Sequence, residues 1–266
     1  MTFRIRALSL LVVLLCLLGI GLTGTYAQDT ILPDLGGRTV TIAVENGYPP
    51  FNQLDENGVG VGWDYDSIRE ICARLNCDPQ FIPASWEGMI VAVSNNEFDM
   101  AADGITITAE RAQLVDFSIG YADIVQRLMV TIDEARFDSV DAFVAGDYML
   151  GVQLATTNFL TAQELVGDRR IVGFSDFGSA VQALIAGDVD AVIIDDVAGQ
   201  GYVGENADRI RLLADELKSD EQLGYIYPKG SDLVKPFDIA IMSMIVDGTL
   251  NQINAAWGLG PYYSDQ

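Results

Sequence analysis

Histidine is absent from all 266 residues. Without imidazole, Ser-His-Asp and Cys-His catalysis and histidine-ligated zinc sites are excluded. Cysteine is scarce: of three, Cys16 lies in the N-terminal apolar run, leaving Cys72 and Cys77. Positive charge is also in short supply, with 15 Lys and Arg against 38 Asp and Glu, a formal net charge of −23. An excess of that sign argues against nucleic acid and anionic lipid as partners. There is no low-complexity linker and no evident internal repeat. Past the N-terminal run, no apolar stretch is long enough to cross a bilayer.

The N-terminus is the first informative segment. Arg4 and Arg6 precede an apolar run from Leu8 to Leu22, followed by Thr25-Tyr26-Ala27. That order reads as a secretory signal peptide, residues 1–27, cleaved after Ala27. Cys16 follows Leu15 rather than a small residue, which argues against lipoprotein processing. Cleavage removes two arginines and no acid, so the net charge moves from −23 to −25. The remaining length suits one large domain or two lobes. In an exported protein Cys72 and Cys77 could form a disulfide pinning a helix end to the following loop, or stay reduced; their spacing leaves both open.

From Thr39 the chain alternates strand and helix, which specifies an α/β fold with parallel sheet. Thr39–Glu45 carries Val40, Ile42 and Val44 at period two, and Asp66–Leu75 carries apolar residues at helical spacing. Gln80–Pro83 reads as a strand, Trp86–Val93 as a helix, and Phe98–Ala102 as a strand leading to a helix at Arg111. A second series comprises a strand Met149–Gln153, a helix Thr157–Leu165, a helix Ser179–Ile185 and a strand Asp190–Ile194. A mostly helical tail runs from Ser231 to Trp257. Polar stretches at Thr131–Asp141 and Asp215–Gln222 bracket the second series as crossings between two lobes. Lobe 1 is expected to comprise residues 28–124 and 220–266, and lobe 2 residues 125–219.

Ligands in open α/β sheets sit outside the carboxyl ends of the strands, so the loops after Val44, Ala102, Val152 and Ile194 matter most. One of them holds Arg111, where a helix start would ordinarily carry an acid. With Thr108 as its N-cap, the guanidinium and the helix start could share a carboxylate, aided by the Thr106 hydroxyl. Taken alone Arg111 is a solvated surface residue, and Tyr48 and Trp86 are core aromatics. The loop from Gln153 to Thr157 offers backbone N–H groups to the same anion. Asp195 emerges from a buried strand, with Asp196 beside it as a solvated neighbour. A cation on one rim facing an anion on the other suits the zwitterion of a free amino acid.

Several fragments together resemble the periplasmic solute-binding proteins for polar amino acids that feed ABC importers, the bacterial extracellular solute-binding proteins of family 3. They are Tyr48-Pro-Pro-Phe51, Val61-Gly-Trp-Asp-Tyr-Asp66, Trp86-Glu-Gly-Met, Phe98-Asp-Met, Gly104-Ile-Thr-Ile-Thr-Ala-Glu-Arg111, Val115-Asp-Phe-Ser118 and Asp190-Ala-Val-Ile-Ile-Asp195. The likeness spans Arg38 to Trp257. Ile119-Gly120 replaces the usual acid-proline, and Trp63 stands where phenylalanine is commoner.

The resemblance implies a type II periplasmic-binding fold, two lobes joined by two hinge strands that close on a ligand. It implies that Arg111, Thr106 and the Thr157 amide hold the α-carboxylate. Asp195 and the Gly104 carbonyl would take the α-ammonium, and Tyr48 and Trp86 would flank the side chain. Glu45 aligns with an acid of members that bind cationic side chains, and the segments around Glu45 and Gln153 look most like arginine-binding members. The expected function is capture of a polar, basic amino acid by a monomer outside the cytoplasmic membrane, and its delivery to an ABC permease. No cofactor, metal or nucleic acid is implied. Rival readings are a glutamine or broad polar binder, a sensory module, and a cyclohexadienyl dehydratase-like enzyme.

Overall fold

The computed structural model of the chain describes residues 32–262. The signal peptide, its cleavage site and Cys16 lie outside those residues. The described chain folds as a two-lobed α/β protein around one curled sheet.

Strands β1 (Arg38–Val44), β2 (Gly47–Tyr48), β3 (Asn52–Leu54), β4 (Gly60–Val61) and β5 (Cys77–Pro83) come first, with helix α1 (Trp63–Leu75) between β4 and β5. Helix α2 (Trp86–Ser94), strand β6 (Met100–Thr106), turn α3 (Arg111–Leu114) and strand β7 (Val115–Phe117) follow. The long strand β8 (Ala122–Thr131) opens the second series: α4 (Val140–Ala145), β9 (Leu150–Gln153), α5 (Thr157–Val166), β10 (Ile171–Phe174), α6 (Phe177–Ala186), β11 (Ala191–Asp195), α7 (Asp196–Glu205) and β12 (Ile210–Leu212). Strand β13 (Lys218–Pro228) returns to the first half, and helices α8 (Val234–Asp247) and α9 (Thr249–Ala256) close the chain.

The main sheet runs β10-β9-β11-β8-β13-β6-β1-β5. The outer strands pair in parallel on both sides, β1 with β5 and β6, and β9 with β10 and β11. The middle pairs, β11–β8, β8–β13 and β13–β6, are antiparallel. Residues 38–106 thus lie on one side of the β8–β13 pair and residues 150–195 on the other. The polar run Thr131–Asp141 follows β8 rather than making the crossing. Sheet pairing keeps the crossing in extended strand, where ladder hydrogen bonds satisfy the backbone.

Local chemistry sets the element ends. Thr156 Oγ1 caps α5 by accepting from the Phe159 amide at 3.0 Å, and Asp176 caps α6 by accepting from the Ser179 amide at 2.7 Å. Gly187 ends α6 at φ 84°, in the left-handed region that glycine enters without steric cost. At the end of α1, Asn76 adopts φ 55°, and the turn brings Cys72 and Cys77 together as a disulfide with Cα atoms 4.6 Å apart. Strand β11 is buried throughout, as expected where helices cover both faces of a parallel sheet. Apolar side chains from β1, α1, α6, α8 and both halves of the sheet merge into one large core, with smaller clusters under α4 and α2.

Candidate functional site

The carboxyl ends of β1, β6, β9 and β11 converge on a narrow cavity. Its walls include all nine residues singled out above: Glu45, Tyr48, Trp86, Gly104, Thr106, Arg111, Gln153, Thr157 and Asp195. They come from both sides of the β8–β13 pair, so the cavity exists only because the sheet curls and its halves face each other.

Thr108 caps the turn that carries Arg111, its hydroxyl accepting from the Arg111 amide at 3.1 Å, as expected. The α3 turn has only four residues, however, too short for an axial dipole of consequence. Arg111 Nη1 donates to the Thr106 carbonyl at 2.9 Å, and its guanidinium carbon lies 5.2 Å from the centre of the Trp86 ring. Nη2 reaches across to the Ala155 carbonyl at 3.5 Å. Ala155 has φ 60°, unusual for a residue with a side chain, at the loop that opens α5. Burial pulls the guanidinium below its ordinary value, opposed by the negative charges of Glu221 and Asp195.

Strand β6 runs to Thr106, four residues beyond the expected end at Ala102, so Asp103, Gly104 and Thr106 belong to its last turns of pleat. Gly104 has φ 55°, and a Cβ there would stand 2.2 Å from the Tyr48 ring. Only glycine permits both the backbone conformation and that aromatic contact. The Thr106 and Thr157 hydroxyl oxygens face each other 3.5 Å apart across the cleft.

Opposite Arg111 stands Asp195, 3% exposed at the end of β11. It accepts from the Tyr48 hydroxyl at 2.5 Å and from Asn158 Nδ2 at 3.0 Å. Burial pushes its carboxyl up to about 6, against the downward pull of those two bonds. Among the described residues Asn158 Oδ1 and Trp86 Nε1 are buried without a hydrogen-bond partner, and both residues line the cavity.

Glu45 forms the far wall, accepting from Gln153 Nε2 at 3.0 and 3.2 Å. Burial pushes its carboxyl up to about 7, with the Gln153 bond pulling down and the nearby Asp176 charge pushing up. Asp103 lies behind it and accepts from the Glu45 amide at 3.0 Å. Burial, then the Glu45 charge, hold Asp103 well above the usual carboxylate range. The charged wall is therefore three acids, Glu45, Asp103 and Asp195, against one cation, Arg111. Among the described residues no group of acids or cysteines has the arrangement of a metal site.

Four further wall residues escaped the sequence reading: Asp103, Thr156, Asn158 and Phe177. Phe177 is the first residue of α6, just past β10, whose short run Ile171–Phe174 carries little periodicity. Its ring lies 5.8 Å from that of Tyr48. Asn158, the second residue of α5, was signalled only by adjacency to Thr157.

The sequence profile of the bacterial extracellular solute-binding proteins, family 3, matches residues 40–260. Among curated relatives, the L-cystine-binding protein TcyJ of Escherichia coli is 25% identical over 236 residues, 88% of each chain. The L-arginine-binding protein of Pseudomonas aeruginosa is 27% identical over 253 residues, 90% of this chain and 94% of its own. An ancestral arginine-binding protein, solved with arginine and with glutamine, is 31% identical, with a TM-score of 0.77 over 82% of this chain and 97% of its own. A profile match this long, over a fold that solved relatives share nearly end to end, settles membership: the chain belongs to the bacterial extracellular solute-binding proteins, family 3.

Proposed function

We propose that this protein captures a free basic amino acid outside the cytoplasmic membrane and hands it to an ABC importer. The observation that carries this reading is the charge layout of the cavity. Arg111 and the two threonine hydroxyls stand at one end, Asp195 at the other, and Glu45 with Gln153 beyond. A zwitterion satisfies Arg111 and Asp195 and is itself neutral, which leaves the acids on the Glu45 side in excess. A cationic side chain offsets that excess, whereas glutamate or aspartate would add to it.

The Arg111 fork binds the α-carboxylate, with the Thr106 and Thr157 hydroxyls and the free amides at the start of α5. Asp195 takes the α-ammonium with the Gly104 carbonyl, and Asn158 Oδ1 is a third acceptor within that end of the cavity. Tyr48, Trp86 and Phe177 flank the aliphatic part of the side chain. Strands β8 and β13 are the hinge, dividing lobe 1 (28–124 and 220–266) from lobe 2 (125–219). Closure brings Tyr48 to Asp195, Gln153 to Glu45, and the Tyr202 hydroxyl to the Gly47 carbonyl at 2.9 Å. Ligand affinity for that closed state drives the motion, and the closed monomer docks on the permease. Export follows cleavage after Ala27, which N-terminal sequencing of the secreted protein checks.

The test is thermal melting of residues 28–266, stripped of ligand, with each common amino acid at millimolar concentration. A ligand at a thousand times its Kd stabilises by about 4 kcal/mol. Arginine, lysine or ornithine should lead. A glutamine lead retains the Arg111–Asp195 pair and removes the role of Glu45; no shift with any amino acid refutes the reading. A second reading, a dehydratase, draws support from Glu45 and Asp195, two acids whose carboxyls stay protonated closer to neutrality than usual. We place binding first because Asp195 already accepts two hydrogen bonds and so suits an ammonium better than proton donation. Product formation from prephenate or arogenate would reverse that order.

A further inference from the structure

Behind the carboxylate end of the cavity lies a buried polar cluster on the two central strands. Gln126 of β8 is fully buried. Its Nε2 donates to Glu221 Oε2 of β13 at 2.9 Å and to Thr157 Oγ1 at 3.1 Å. Glu221 is 7% exposed, and its other oxygen is 3.1 Å from Lys218 Nζ.

Glu221 reaches Gln126 because β13 is irregular there. Lys218 stands opposite Gln126 and Glu221 opposite Ile124, so three steps along β13 match two along β8. The extra residue is a β-bulge, and it turns Glu221 onto the face that carries Gln126. A regular ladder would have turned it to the other face.

The proton count is then determined. A carboxylate paired to a lysine only accepts, so Glu221 holds the Gln126 amide with its NH2 toward it. The same NH2 supplies the second proton to Thr157 Oγ1, which therefore accepts from Gln126. A hydroxyl has a single proton. The one other partner of Thr157 Oγ1 among the described residues is Thr106 Oγ1, at 3.5 Å on the cavity wall.

We propose that Gln126, held by Glu221, is a positioning residue that aims the Thr157 hydroxyl proton into the cavity, toward the ligand's carboxylate. This rests on the amino-acid reading of the cavity. It also ties the carboxylate site to the pair of strands on which the lobes turn.

The experiment is a double-mutant cycle read by calorimetric titration with arginine. Gln126→Met, similar in volume and without hydrogen-bonding groups, should weaken binding about 3- to 10-fold, the worth of one net hydrogen bond. Thr157→Val should weaken it at least as much. The double variant should bind no more weakly than Thr157→Val alone, because Gln126 then has no hydroxyl to orient. Losses that multiply overturn the proposal, as does a Gln126→Met variant that binds like the parent. Melting of the ligand-free variants separates general destabilisation from this coupling. If Gln126→Met does not fold, Glu221→Gln takes its place, since it frees the Gln126 amide to flip; the same dependence on Thr157 is expected, and multiplying losses again overturn the idea. If the parent itself binds no amino acid, the functional reading fails before the cycle is run.

Discussion

Glu45→Gln tests the basic-ligand reading because it moves two observables in opposite directions. With Gln153 against it, as in this structure, the Glu45 carboxyl is pushed from 4.5 to about 7, chiefly by burial. At 1.36 kcal/mol per unit, holding that group at pH 7 costs folding up to about 3 kcal/mol. The amide removes the charge and keeps the size, so the ligand-free protein should melt higher at pH 7. A bound guanidinium would regain that cost through charge-assisted hydrogen bonds, each worth about 1.5–3 kcal/mol. Arginine affinity should therefore fall roughly 10- to 150-fold in the variant, while glutamine affinity changes little. Melting curves of stripped protein and calorimetric titrations with both ligands give the two readouts. Arginine binding unchanged by the substitution, with the melting rise intact, would show that Glu45 is a buried acid the ligand does not meet.

Arg111→Lys keeps the charge but not the planar fork, and should weaken every amino acid about 10- to 100-fold regardless of side chain; a loss confined to basic ligands would refute its carboxylate role. Affinity for arginine should rise about tenfold between pH 6 and 7, more steeply below pH 6 and level off above 7, since Glu45 near 7 and Asp195 near 6 must both be ionised to receive the ligand. Proton release on binding, read from titrations in two buffers at pH 6.5, checks this, and a pH-independent affinity refutes it. The ligand-free protein should show the opposite trend. Both carboxyls are raised on folding, so their stabilisation is complete below about 4 and is lost as pH rises through 6 to 7. Thiol titration of denatured residues 28–266 should find no free thiol until a reductant is added. Removing the short Cys72–Cys77 loop should cost about 2 kcal/mol by the chain-entropy relation.

Much of the fold was legible because its signals are local. Period-two burial in β1 and helical spacing in α1 each depend on a few neighbouring residues. Signals that needed more than neighbours were misread. The strand at Met100 extends four residues past the expected end because, although Asp103 and Gly104 resemble a loop, Ile105 and Thr106 beyond them pair with β13. Of the two polar segments expected to carry the crossings, Asp215–Gln222 overlaps the start of β13, whereas Thr131–Asp141 follows β8. Gln126 and Glu221 carried no sequence signal, since 95 positions separate them and a single extra residue in β13 brings them together.

By itself the sequence determined the α/β class, the exclusion of imidazole chemistry and the excess of acid, because composition and short-range periodicity are properties of the chain. It also supplied the nine residues that meet in the cavity, through ordered fragments that resemble a family. Only the tertiary structure decided how those residues face one another: that Asp195 meets Tyr48 and Asn158, that Glu45 meets Gln153, and that burial raises both acids toward neutrality. Desolvation and cross-strand pairing depend on what the rest of the chain packs against a group, and that is known only once the sheet has curled and closed.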